Sequence, residues 1–191
     1  ISAITLSPFA QKQKQKFTRR DLLLIISIAV CGAVIAPSLF FIGLTHASAS
    51  DAALIANGEV FFSVLLAMIF FKERLGKIGY VATALILAGM IIVTTDLNFS
   101  DFTLQQLHYQ DMLLILSMLF WGIDNNLSRI LAQKIHVAKI AQIKCVIGGS
   151  IMFVIAVFGF GAPLFIEPSE IPPILVLGMV GFAASLYFFL Q

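Results

Sequence analysis

Residues 51–77 read DAALIANGEVFFSVLLAMIFFKERLGK. Twenty-one residues, from Asp51 to Phe71, hold two acids and no base, and they are otherwise apolar or small. The run then breaks into Lys72-Glu73-Arg74. A spanning helix needs about 20 mostly apolar residues. A barrel strand would be about 10 residues long with alternating polarity. The stretch therefore reads as one membrane-spanning helix ending in a charged turn.

Similar runs flank it on both sides. Ile1–Ala10 is apolar but too short to span, and residues 11–20 form a basic loop. Full spans follow at 21–44, 51–71, 78–95, 111–131 and 145–164, and a sixth begins at 174. Pro37 lies within the first and is expected to kink it. The chain opens without Met and ends inside an apolar run, so it reads as an internal piece of a longer protein. Of its 191 residues, 60% are hydrophobic and 12% charged. Soluble domains carry roughly 25% charged residues. The fold class is an all-α, multi-pass membrane protein.

The basic residues orient it. Counting loops alternately by side, all 12 Lys and Arg fall in residues 11–20, 72–77 and 129–144. The opposite side carries Asp51, Asp96, Asp101, Asp111, Glu167 and Glu170. By the positive-inside rule the basic loops are cytoplasmic. A net charge of +2 gives no ground for a nucleic-acid partner. Cys31 and Cys145 lack metal-like spacing and read as packing residues. His46, His108 and His136 are scattered over loops and span ends, so no metal or cofactor is expected. No nucleotide-binding or nucleophile motif is present, which argues against an enzyme.

Polar groups inside spans mark function, because a charge at the bilayer centre costs at least about 2.5–3.5 kcal/mol. Glu59 lies about 12 Å below the outer end of its span, and Asp124 roughly 20 Å below the outer end of the fourth, at 1.5 Å per residue. Ser117, Trp121, Asp124 and Ser128 share a helical face, a polar stripe with an aromatic plate suited to a wet cavity. Asn125 pairs with Arg129 at i, i+4. Ser63 shares a face with Glu59, and Asn57 and Gly58 loosen the helix just before it. These residues are the candidate sites for a solute, and Glu59 also for a proton.

Ser38-Leu39-Phe40-Phe41 returns as Ser185-Leu186-Tyr187-Phe188 in a span of opposite direction, as an inverted repeat requires. Residues 43–95 resemble the EamA-type drug/metabolite transporters. The resemblance is carried by Ala47-Ser48-Ala49-Ser50-Asp51-Ala52-Ala53-Leu54, Glu59-Val60-Phe61-Phe62, Phe71-Lys72-Glu73-Arg74-Leu75, Gly79 and Leu85-Ile86-Leu87-Ala88-Gly89. Val60 stands where that family commonly has Pro, and Lys72 where it has Gly, a change read as harmless in a cytoplasmic turn. Residues 111–191 look like the opening of the family's second repeat, with Trp121 in its usual place.

The resemblance implies ten helices in two inverted repeats of five. Residues 1–95 would hold the later part of the first repeat, 96–110 the loop between repeats, and 111–191 the start of the second. It implies a plasma-membrane carrier that moves a small organic solute by alternating access, often outward. The partners are that solute and the lipid bilayer, with a homodimer left open. The rival readings are a membrane-embedded enzyme and a non-transporting scaffold.

Overall fold

The computed structural model describes residues 18–45, 47, 49–95, 109–159, 161, 167–169, 171–176 and 178. The stretch before Thr18, His46, His108, nearly all of the inter-repeat loop, and the Ser185–Phe188 echo lie outside them. Every element among the described residues is helical: α1 (Arg19–Val30), α2 (Ala36–Leu44), α3 (Ala49–Ala56), α4 (Gly58–Phe71), α5 (Lys77–Thr95), α6 (Tyr109–Ala132), α7 (Val137–Val154) and α8 (Ile171–Val176). Three helical runs are long and apolar enough to cross a membrane: Arg19–Leu44, Ala52–Phe71 and Val137–Gly159. Lys77–Ile92 is apolar but shorter. The 24-residue α6 is not among them. Asp124, Asn125 and Asn126 interrupt its apolar run.

The chain divides into two compact units, Ile1–Val34 with Leu127–Gln191, and Ile35–Asn126. In the first, α1 packs on α7. A Cβ on Gly148 would overlap the Ala33 methyl, so the missing side chain lets the two backbones approach closely. Ile25 and Ile28 pack with Leu131, Ile135 and Ile140 in one apolar cluster. The start of α1 is tightly specified. Thr18 Oγ1 accepts from the Asp21 backbone N–H at 3.2 Å, and the Thr18 N–H donates to Asp21 Oδ2 at 3.1 Å. This reciprocal cap satisfies donors that a helix start leaves open. Lys134 Nζ reaches Asp21 Oδ1 at 3.2 Å, tying the α6–α7 turn to the same point. The fifth span begins earlier than its hydropathy indicates. The helix starts at Val137, capped by His136 Nδ1, which accepts from the Ala138 N–H at 3.3 Å. Lys139 and Lys144 thus ride on α7 and are not loop residues, and Lys144 is buried.

In the second unit, α3, α4 and α5 pack together with α6. Ala52, Ile55, Leu114 and Met118 form its apolar cluster, with Phe40, Phe62 and Trp121 against it. Glycines again set the close approaches. A Cβ on Gly43 would meet Leu114 Cγ at 2.9 Å, and one on Gly58 would meet Met90 Cε at 2.7 Å.

Among the described residues, Ile155–Gly159 is π-helical at the end of the Val137–Gly159 run, and three further backbone irregularities lie in or at the ends of the earlier spans. Cys31–Ile35 is π-helical and runs directly into Pro37. Proline lacks the N–H that an α-turn needs, and a wider turn accommodates the carbonyl this frees. A second span breaks at Asn57, between α3 and α4. The third irregularity ends α4: Lys72 takes left-handed φ 54° and ψ 31°. That is the helix-terminating conformation glycine favours, and it explains why a Gly suits this position. Lysine there is not neutral, because its Cβ crowds the backbone by about 1 kcal/mol. Lys72→Gly is therefore expected to raise the thermal stability of the full-length protein by about 0.5–1 kcal/mol. A melting temperature unchanged or lowered on this substitution would contradict the strained turn.

Candidate functional site

The site is built where α4 crosses α6. Gly122 makes the crossing: a Cβ on it would lie 2.9 Å from Phe62 Cβ and 3.1 Å from Ser63 N. With only hydrogen there, the next turn of α6 reaches α4 with short side chains. Asn125 donates from Nδ2 to Glu59 Oε1 at 2.7 Å and to Ser63 Oγ at 3.1 Å. Asn126 donates to the Ser63 carbonyl oxygen at 2.9 Å and to the Gly122 carbonyl oxygen at 2.8 Å. The two asparagines therefore clasp one turn of α4 from one turn of α6. Hydrogen bonds to charged groups are worth about 1.5–3 kcal/mol, against roughly 1 for neutral pairs, so the Asn125–Glu59 bond is the strongest link in the clasp.

Glu59 and Ser63 are partly buried and one helical turn apart. Glu59 sits in the first turn of α4, immediately after the break at Asn57. A carboxylate is favoured near a helix N-terminus by the backbone dipole. Trp121 lies one turn before Asn125 on α6, and its ring centroid is 5.5 Å from that of Phe40 at an interplanar angle of 51°. The aromatic pair packs on the Ala52–Ile55–Leu114–Met118 cluster, one helical turn along α6 from Asn125.

The predicted stripe on α6 faces inward. Ser117, Asp124 and Ser128 are at most 2% exposed, and Trp121 is half-buried. Ser117 donates to the Leu114 carbonyl oxygen at 2.7 Å, a local bond along its own helix. Of the residues singled out from sequence, Glu59, Ser63 and Asn125 come together through direct hydrogen bonds, with Trp121 adjacent. Asn57 does not join them. Its side chain is exposed and donates to the carbonyl oxygens of Ala53 and Leu54 at 3.1 and 3.2 Å. It closes the end of α3, because an asparagine amide competes well for freed carbonyls where a helix stops. Sequence reasoning missed Asn126 and Gly122. Their signal was a Gly followed four residues later by Asn, on the α6 face that meets α4. Among the described residues, no group of three or more His, Cys, Asp or Glu is placed to hold a metal ion.

The EamA-like transporter family matches this chain over residues 1–95 and 108–191. An uncharacterized transporter of Methanothermobacter thermautotrophicus is 30% identical over 157 residues, covering 82% of this chain and 46% of the relative. An uncharacterized transporter of Synechocystis is 25% identical over 174 residues, covering 89% and 49%. The chain spans about half the length of the curated relatives it matches. No solved structure matches it.

The crossing geometry fixes one outcome. Gly122→Val drives a side chain into Phe62 and Ser63, and overpacking of this kind costs about 1–3 kcal/mol. The full-length protein should melt at a clearly lower temperature. Gly89→Ala, where an added Cβ meets nothing within 4 Å, should not destabilise it. Equal melting of the two variants would remove Gly122 from the crossing.

Proposed function

The chain belongs to the EamA-like transporter family, and we propose that the whole protein is a secondary transporter with the Glu59–Asn125–Ser63 cluster on its solute path. Family membership and the apolar helical runs make it a membrane-embedded protein. The proposal adds a small organic solute, the plasma membrane, and alternating access between two inverted five-helix repeats.

The observation that carries it is the 2.7 Å bond from Asn125 to Glu59. An ionisable residue within a spanning segment is expensive, and such residues mark substrate and ion paths. Here the acid is held by a side chain from another helix, next to a backbone break. Interrupted helices beside a binding group are how many carriers place their sites. Glu59 takes one ligand or proton at a time, and its occupancy biases which side of the bundle is open. In this reading the coupling ion is a proton and flow is outward. The breaks at Pro37 and Asn57 are where the helices flex.

Solute flux into proteoliposomes containing the full-length protein tests this. Glu59→Gln keeps the size and the acceptor but loses the charge, and Asn125→Ala removes the donor. Each should lower the initial rate at least tenfold while the protein still folds. Asn57→Ala, outside the cluster, should cost less than threefold. Wild-type flux in both Glu59→Gln and Asn125→Ala would take the cluster off the path. Absence of flux for any solute class would sink the transporter reading.

A further inference from the structure

We propose that the Glu59–Asn125–Ser63 cluster binds the ammonium group of a monocationic amine whose apolar body lies against the Phe40–Trp121 pair. This rests on the transporter reading and names the chemical class of its solute.

Residues 35–71 contain no Lys or Arg, and Glu59 lies within the span at 51–71. In a low-dielectric setting, the Glu59 carboxylate strongly favours a cation and repels another carboxylate.

The hydrogen-bond inventory agrees. Asn125 Nδ2 donates to both Glu59 Oε1 and Ser63 Oγ. Among the described residues, nothing donates to Glu59 Oε2 or to Asn125 Oδ1. Among the same residues, no fully buried side-chain nitrogen or oxygen lacks a partner, so these two acceptors lie where a ligand or water reaches them. An ammonium group carries three donors and no acceptor. Glu59 Oε2 and Asn125 Oδ1 supply two acceptors, one charged, and the Ser63 hydroxyl oxygen the third. A neutral alcohol would leave the charge unmatched, and an anion would face it directly.

The aromatic pair supplies the other half. Trp121 is one turn from Asn125, so Cβ atoms of the two lie about 5–6 Å apart. The faces of Trp and Phe attract cations and pack well against apolar rings. An amine on a short carbon chain reaches both features at once.

The test uses the full-length protein in lipid nanodiscs at pH 7 and calorimetric titration with phenethylamine, phenethyl alcohol and phenylacetate. These probes share a ring and chain and differ in the charge of the head group. Phenethylamine should bind saturably, at least tenfold tighter than the alcohol, and phenylacetate more weakly than either. Glu59→Gln should weaken the amine at least tenfold and erase its preference over the alcohol. Glu59→Asp, which keeps the charge on a shorter arm, should retain that preference. No saturable amine binding, equal binding of the three probes, or an undiminished amine preference in Glu59→Gln would overturn the proposal. If Glu59→Gln does not fold, the wild-type ranking and Glu59→Asp decide. Should the amine fail while Glu59-dependent flux of a neutral or anionic solute persists, the solute class falls and the transporter reading stands.

Discussion

Hydrocarbon offers no water to a polar side chain, and that constraint organises the second unit of this protein. Glu59 lies within a spanning segment, so its carboxylate must find donors on another helix or be excluded from the bilayer. Asn125 provides one, to Oε1 at 2.7 Å, and the rest of the crossing follows from making that contact possible. Short side chains reach only if the helices approach closely, which Gly122 permits against Phe62 and Ser63. Asn126 then takes up the Ser63 carbonyl at 2.9 Å, so the same close approach is secured twice. Packing and polar satisfaction are here one arrangement.

The irregular backbone is equally constrained. A freed carbonyl in a spanning helix must be met by the protein itself. At Pro37 the chain adapts by widening into a π-turn over Cys31–Ile35. At the α3–α4 break, Asn57 folds its amide back on Ala53 and Leu54. At the end of α4 the chain takes a left-handed turn despite having lysine at the position. Two of these three interruptions flank the Glu59–Ser63 turn in sequence. In the proposed carrier, which rocks between two openings, such points are expected next to the binding group, and Glu59 follows the Asn57 break directly.

Much of the helical organisation was legible in the residues. Apolar runs of about 20 define spans whatever their neighbours are, which is why 19–44 and 52–71 match closely. The start of α7 was not legible from hydropathy, because Lys139 and Lys144 lower the score of what is nonetheless regular helix. Hydropathy likewise undervalues α6, whose polar residues pack against protein rather than lipid. In the cluster, Glu59, Ser63 and Asn125 could be named from their depth and type. Their pairing could not, since it depends on which face of α6 meets α4. Helical spacing drew attention to the Ser117–Asp124–Ser128 stripe and to an Asn125–Arg129 pair. The contact runs instead through Asn125 and Asn126, one step around the helix. Asn57 was misplaced for a local reason: chain proximity to Glu59 suggested a shared site, but its amide serves its own helix end.

The claim on which all of this depends is that Asn125 and Glu59 bond across two helices inside the membrane. A double-mutant cycle on thermal stability measures that directly, with Glu59→Ala, Asn125→Ala and the pair in the full-length protein in lipid nanodiscs. The account predicts a coupling energy of about 1.5 kcal/mol or more, in the range of hydrogen bonds to charged groups. Strictly additive effects of the two substitutions would contradict it.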